Sequence, residues 1–241
     1  SLRLQELILG IFAVSIGTVI LPDLSGLAKN SDWGKFNSLL SQAIKIIALI
    51  SIPVTFYSLV SGKEIISLVY KSKTFDEKSV ALTLEAFRFH IAGLFFIAVN
   101  RVVSPAFYAQ GNTKSPTLAG ILGLCINMIL ALCLIKPMAG GGIALALSLG
   151  SFANTVLLFV FLKKNKNIEL KKVVTENLLY CAKILLFSFL ASIPAFFVRA
   201  KILPFFEAKG RFLGYGGVVA VTAGVFAVCG ILLLFVAKDP L

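Results

Sequence analysis

Long, unbroken apolar runs recur along the whole chain and constrain its fold more than any other feature. The sequence is 58% hydrophobic with a mean hydropathy of +0.95, whereas soluble domains are about 45–50% apolar. Because a bilayer offers no water to backbone N–H and C=O groups, only helices and closed barrels span it. The runs do not alternate with polar residues as barrel strands do, so they predict an all-α integral membrane protein.

Seven segments are long enough to cross a hydrocarbon core of about 30 Å as helices with modest tilt. These predicted spans are Leu4–Leu21, Lys45–Ser61, Phe87–Ala109, Ser115–Ile135, Met138–Leu162, Leu178–Val198 and Phe212–Ala237. A short surface helix beginning at Trp33 is expected to bend into the second span, and a second one is expected near residues 65–70. Asp32 and Asp76 precede apolar helical patterns and are predicted N-caps.

A lysine cluster divides the chain and indicates its orientation. Its members are Lys163, Lys164, Lys166, Lys171 and Lys172. We predict a partial lobe of five helices over residues 1–163, a basic cytoplasmic linker over 164–177, and a two-helix hairpin over 178–241. Alternation then places loops 25–44 and 110–116 on the cytoplasmic side, and loops 62–86, 136–141 and 199–211 on the other side.

The net charge of +12 favours anionic partners. In a membrane protein these are anionic membrane lipids or an anionic substrate, and no sequence pattern points to nucleic acid. The four cysteines lie in apolar runs without a CxxC motif, which favours small buried hydrophobes over a disulfide or a metal site. No cofactor is predicted. The chain starts with Ser1 rather than Met, and we expect it to be the later part of a longer protein.

Arg101 is a formal charge inside the third predicted span. An arginine at the centre of a span costs about 2.5–3.5 kcal/mol on insertion scales, so it should face protein, water or an anion. The alternative is a pairing with a carboxylate or with backbone carbonyls of a neighbouring helix. Pro105 is expected to break the helix below it, Tyr108 to lie at the interface, and residues 110–116 to form a polar turn.

Other polar residues in or beside the spans have two interpretations each. Arg3 and Glu6 share one helix face, either as an interfacial ion pair or as the lining of a cavity mouth. Pro22 is expected to end the first span. His90 is either a hydrogen-bonded interface residue or a proton relay. Asn127 either joins helices or coordinates a cation, but residue 131 is an alanine, so no metal site is predicted.

Three stretches together resemble the MurJ/MviN lipid II flippases of the MOP transporter superfamily. They are Arg3–Gly10 with Gly17-Thr18 and Leu21–Ser25, Arg101 with Pro105–Ala109 and Asn112–Pro116, and Gly142–Ser148 with Asn154. The resemblance covers residues 1 to about 165 well. It implies that the seven spans correspond to helices eight to fourteen of a fourteen-helix fold, and that a first lobe of the same protein is the partner of this chain.

The resemblance also implies which residues bind the substrate. Family members have a cationic central cavity, to which the arginine matching Arg3 belongs, with Glu6 beside it. Arg101 matches a position that is usually basic. Structural or gating roles are expected for Pro22, Pro105, Tyr108, Asn112, Lys114, Pro116, Asn127 and Asn154. Ile8 stands where many members have proline, and Ala131 leaves no carboxylate for a sodium site of the kind some members use.

The expected function is therefore that of a lipid II flippase in the bacterial inner membrane. Its substrate would be a polyprenyl pyrophosphate that carries a disaccharide-pentapeptide. The alternatives are another polysaccharide-lipid exporter, a drug/cation antiporter, a membrane glycosyltransferase or a non-transporting scaffold. The sequence argues against an enzyme, because it holds no metal-ligand cluster, close carboxylate pair or nucleophile–base constellation.

Overall fold

A computed structural model describes residues 2–10, 15–207 and 210–237, without the side chains of Ile8 and Glu207. Within these ranges the chain is helical and contains no strand. The helices are α1 Leu2–Leu9, α2 Ser15–Lys29, α3 Trp33–Tyr70, α4 Glu77–Ala92, α5 Leu94–Tyr108, α6 Lys114–Leu162, α7 Leu170–Glu207 and α8 Gly210–Val236.

The predicted class, an all-α multi-pass membrane protein, is confirmed. Five segments are long and apolar enough to cross a membrane: α3, α4 with α5, α6, α7 and α8. The 49 residues of α6 fold back on themselves at Ala139 (φ 45°, ψ −125°) and so contain both the fourth and fifth predicted spans. The first predicted span falls on α1 and α2, and residues 11–14 between them lie outside the described ranges.

The prediction of two separate surface helices is wrong. Both segments are ends of the single 38-residue helix α3. No glycine or proline lies between Gly34 and Pro53 to interrupt it. At about 1.5 Å per residue, α3 is about 57 Å long, which exceeds the 40–45 Å of a bilayer with its headgroups. The two N-caps are confirmed: Asp32 accepts the backbone N–H of Lys35 at 3.1 Å, and Asp76 accepts that of Ser79 at 2.9 Å.

The helix of the third predicted span is interrupted at Gly93, between α4 and α5. The prediction of a break at Pro105 is wrong. α5 continues through Pro105 to Tyr108. The hydroxyl of Ser148 in α6 donates to the carbonyl of Phe89 at 2.6 Å. A Cβ at Gly93 would lie 2.3 Å from the same Oγ. Ser148 therefore enters the turn that joins α4 to α5, and a glycine there gives it room.

α3 is the central helix and contacts α2, α4, α5, α7 and α8. Its buried side chains include Phe36, Leu40 and Ile47, which join Phe87 and Leu94 in the main core. The C-terminal hairpin packs on α3 through polar contacts as well. The hydroxyl of Tyr57 donates to the carbonyl of Val219 at 2.7 Å.

A buried ion pair also ties α7 to α3. Arg199 donates from Nε to Glu64 Oε2 at 2.9 Å and from Nη2 to Oε1 at 2.6 Å. The Glu64 side chain is 1% exposed and that of Arg199 is 20% exposed. Both residues fall in predicted loops, 62–86 and 199–211, but both lie within helices.

Loops predicted to share one side of the membrane meet at one end of the molecule. Asn165, after α6, donates its side-chain amide to Gln110, after α5. At the opposite end, Arg211 donates to the carbonyl of Leu68 at 2.9 Å. Lys71 donates to Glu77 and Tyr215 there, and these bonds raise the pKa of Lys71. The side that faces the cytoplasm stays a prediction.

The four cysteines are free thiols, and only Cys181 is buried. Cys125 and Cys133 are exposed on the apolar surface of the first half of α6, so the expectation of burial is wrong for these two. Their neighbours Leu124, Met128 and Leu132 are exposed as well. Such a surface suits lipid tails, which are as apolar as leucine.

Removing one partner of the Glu64–Arg199 pair should cost more stability than removing both. Arg199→Met leaves a buried carboxylate without a cation, and we expect a loss of about 3–5 kcal/mol. The double variant Glu64→Gln/Arg199→Met should recover most of it. Chemical unfolding in detergent micelles, followed by circular dichroism, measures both. Lys201→Met, at an exposed position two residues further along α7, is the control. An Arg199→Met protein as stable as the Lys201→Met protein would contradict the prediction.

Candidate functional site

Helix α1 is held in place by a buried glutamine. The side-chain amide of Gln5 donates to the carbonyl of His90 at 2.5 Å, and Gln5 is 1% exposed. This carbonyl lies at the break between α4 and α5, where it also accepts the N–H of Gly93. Leu9, one turn further along α1, is buried beside Gln5. These contacts fix which face of α1 is turned outward.

The outward face of α1 carries Arg3 and Glu6, and both residues are exposed. Neither side chain forms a salt bridge with any residue that the structure describes, so they are not paired with each other there. Their shared face is therefore free to contact a ligand or another part of the protein. The ion pair, one of the two interpretations for these residues, is therefore not seen, and the lining of a cavity stays a prediction.

Arg101 lies on the one open stripe of α5. Ile97, Arg101, Ser104 and Tyr108 follow one another at helical spacing, and Arg101 and Tyr108 are exposed. The other faces of the helix pack against α2, α3 and α6. No described carboxylate forms a salt bridge with Arg101. The alternative in which a carboxylate neutralises this arginine is not seen within the described part of the chain.

The backbone of Arg101 is the point where α2 crosses α5. Pro105 lacks an N–H, so the carbonyl of Arg101, four residues earlier, lacks its usual i+4 donor. Gly17 of α2 covers it: a Cβ at Gly17 would lie only 2.7 Å from this oxygen. The approach allows the weak Cα–H···O contact that recurs where helices pack closely. Pro105 leaves this carbonyl available, and Gly17 allows α2 to pack closely against it.

Sequence reasoning missed Asn100, the neighbour of Arg101. Its amide donates to the carbonyl of Ser151 at 3.1 Å, and its oxygen accepts the hydroxyl of Thr155 at 2.8 Å. These bonds hold α5 against the second half of α6. Together with Gly17 they fix the rotation of α5 and so the direction of Arg101. Asn100 could have been selected from the sequence, because it is an amide residue next to a charged one within an apolar run.

The two cationic positions lie at different depths. Gln5 places the first turn of α1 level with His90, whereas Gly17 is level with Arg101. Arg101 follows His90 by eleven residues, which corresponds to at most about 16 Å along the helix axes because the helix breaks at Gly93 between them. The structure therefore brings Arg3 and Glu6 together but does not bring Arg101 into the same cluster.

The residues expected to have structural or gating roles occupy helix starts and helix contacts. Asn112 accepts the N–H of Ser115 at 3.1 Å in the first turn of α6, next to the exposed Lys114 and the buried Pro116. Pro22 lies inside α2, which runs on to Lys29, so the expectation that it ends the first span is wrong.

The two asparagines of α6 line the contact between its halves. Asn127 packs its Cβ against Gly150, and Asn154 packs its Cβ against Gly123. The side-chain oxygen of Asn154 is buried without a hydrogen-bond partner among the described residues. No group of three His, Cys, Asp or Glu residues within the described ranges could hold a metal ion.

Comparison with known proteins identifies the family. The family model described as "Lipid II flippase MurJ" matches residues 1–210. The chain belongs to the MurJ family. It is 43% identical over 239 residues to the probable lipid II flippase MurJ of Treponema pallidum, covering 99% of this chain and 45% of that protein. The corresponding protein of Rickettsia prowazekii is 29% identical over 191 residues, covering 79% of this chain and 37% of that protein.

A solved structure supports the fold. The chain superposes on a lipid II flippase MurJ in an inward closed conformation with a TM-score of 0.71 and 22% identity. The match covers 98% of this chain and 46% of the solved one. The chain thus spans about half the length of the MurJ proteins that it matches, as the sequence resemblance implied.

The crossing of α2 and α5 gives a test with a matched control. Gly17→Ala puts a methyl group against backbone atoms that cannot move aside, and we expect a loss of about 1–3 kcal/mol, as for overpacked cores. Gly26→Ala lies in the same helix with nothing within 4 Å of its Cβ, and it should be neutral or stabilising by up to about 1 kcal/mol. Thermal unfolding of the two purified variants measures the difference. A Gly17→Ala protein as stable as the Gly26→Ala protein would contradict the close crossing.

Proposed function

We propose that this chain forms one wall of a lipid II flippase. The substrate is a peptidoglycan precursor linked to undecaprenyl pyrophosphate, which crosses the bacterial cytoplasmic membrane by alternating access. The observation that carries the proposal is the family match together with two arginines, on the outward faces of α1 and α5, that have no carboxylate partner among the described residues. A charge kept in a span without compensation marks a functional site.

The chemistry of the arginines suits a pyrophosphate. A guanidinium group presents a planar fork of donors that binds phosphate oxygens in pairs, and it stays charged at any physiological pH. Glu6 beside Arg3 lowers the net charge at that depth, which keeps the site from holding the anion too tightly to release it. No covalent chemistry is needed, so the activity is transport and not catalysis.

The separation of the two arginines suggests two successive positions for the pyrophosphate. A separation of up to about 16 Å along the helix axes is well beyond the length of a pyrophosphate group, so the two arginines favour different positions for it. Arg3 and Arg101 would then hold the headgroup at different stages, as the lobes rock between their two states. The membrane potential contributes about 2.3 kcal/mol per charge per 100 mV and would bias these stages.

The remaining parts have supporting roles in the proposal. A first lobe of the kind that MurJ relatives possess would face α1 and the open stripe of α5 and enclose the cavity. The hairpin α7–α8, with exposed Phe197, Phe205 and Phe235, would guide the polyprenyl tail. The lysine cluster of residues 163–172 would bind anionic lipids at the cytoplasmic surface.

Substitution of the two arginines in the intact protein tests the proposal. Arg3→Ala and Arg101→Ala should each lower the rate of lipid II exposure on the outer face by roughly tenfold or more, since a charge-assisted hydrogen bond contributes about 1.5–3 kcal/mol. Arg101→Lys should retain more activity than Arg101→Ala. Lys136→Ala, exposed in α6, is the control.

The assay is lipid II accessibility in cells depleted of their own flippase. Unchanged flipping in both alanine variants would remove the arginines from the mechanism. Failure of the unsubstituted protein to rescue such cells would instead favour another lipid-linked cargo.

A further inference from the structure

A second cationic site lies between α3, α4 and α7, away from the proposed substrate path. A cavity of about 330 Å³ opens there, a size within the usual range of ligand sites. Its lining is mainly apolar and includes Phe56, Val60 and Phe189, and it also holds three cations, Lys63, Arg88 and Arg199. We name it the α3–α4–α7 cleft.

The cleft is distinct from the substrate-facing surface. Arg88 precedes His90 by two residues, which is about 200° around a helix. His90 is where Gln5 attaches α1, so Arg88 points away from α1 and from the face that bears Arg3 and Glu6. The two sites therefore lie on different sides of α4.

The charges in the cleft are not balanced by the described residues. Glu64 neutralises Arg199 through two hydrogen bonds. Lys63 is 3.9 Å from Glu77, with both side chains at least half exposed, and such exposed pairs contribute little. Glu77 is also bound by Lys71. Arg88 forms no salt bridge or hydrogen bond with a described residue. The cleft thus offers two cations to an incoming anion.

The apolar part of the cleft extends from the cations toward the centre of the membrane. Phe56 and Val60 precede Lys63 in α3, and Phe189 and Phe196 precede Arg199 in α7. Both helices run toward the end that carries the α3–α4 loop. Phe56 and Phe189 meet with ring centroids 6.4 Å apart and narrow the inner part of the cleft. At about 1.5 Å per residue, Lys63 and Arg199 lie about 10–12 Å from the ends of α3 and α7, and Arg88 lies about 16 Å from the start of α4. Because α3 is longer than the bilayer is thick, Lys63 and Arg199 are close to headgroup depth and Arg88 is somewhat deeper.

We propose that the α3–α4–α7 cleft binds a glycerophospholipid with an anionic headgroup from the leaflet at the α3–α4 end. Lys63 and Arg88 hold the phosphate, and one acyl chain lies along Val60, Phe56 and Phe189. Because the lipid also contacts α7, it holds the hairpin against the lobe from outside, next to the Glu64–Arg199 pair. This inference does not depend on which cargo the protein transports.

Native mass spectrometry of the intact protein tests the site. The probe is a micelle mixture with equal amounts of phosphatidylglycerol and phosphatidylcholine of the same chain length. We expect the protein to retain phosphatidylglycerol selectively. Lys63→Gln or Arg88→Gln should each lower this retention about fivefold, because one surface cation contributes about 1 kcal/mol. Lys78→Gln, an exposed lysine of α4 outside the cleft, should change nothing.

Further arms separate the possible ligands. Val60→Trp fills the apolar part and should lower retention while leaving every cation in place. Equal retention of the two lipids, or equal retention by Arg88→Gln and Lys78→Gln, would overturn the proposal. Displacement by millimolar inorganic phosphate would show a site for a free ion, and displacement by undecaprenyl pyrophosphate at equal concentration would assign the cleft to the substrate. Either displacement would also overturn it.

Discussion

The contact between Gly17 and the carbonyl of Arg101 is the constraint on which the functional half of the structure depends. Pro105 removes the donor that this carbonyl would have in an uninterrupted helix, and only a residue without a side chain can approach it to the observed distance. Arg101 thus presents its backbone oxygen to α2 and its guanidinium group to the open stripe of α5. The position of α2 and the direction of the charge are set at one point.

Much of the fold could be predicted from the sequence, because bilayer physics leaves few choices. Continuous apolar runs require helices, and Asp32 and Asp76 marked two helix starts by their side-chain chemistry alone. The break at Gly93 could not be predicted. It depends on Ser148, which lies 59 residues after Phe89, the residue whose carbonyl it binds. Pro105 and Pro22 gave strong local signals for helix ends, yet surrounding contacts keep both helices intact.

The candidate site was predictable in its residue types but not in its geometry. Arg101 stood out as a charge within an apolar run, whereas the family resemblance pointed to Arg3 with Glu6 beside it. The depth difference between Arg3 and Arg101 depends on where α1 and α2 lie along α4 and α5. Gln5 sets the position of α1, and Gly17 sets that of α2. Neither contact has a local sequence signature. The pairing of Glu64 with Arg199 could not be predicted either, because both residues lie in polar stretches expected to be loops, whereas α3 and α7 extend through them.

The Glu64–Arg199 pair has a consequence for how the chain is made. The two residues are 135 positions apart, and ribosomes add about 5–20 residues per second. Glu64 therefore emerges about 7–27 s before the arginine that neutralises it. During that interval α3 carries a lone acid near the membrane surface, which Arg199 neutralises when α7 packs on α3. The docking of α7 on α3 thus neutralises a helix that is made well before it, and a chain cut off ahead of Arg199 leaves that acid without its cation.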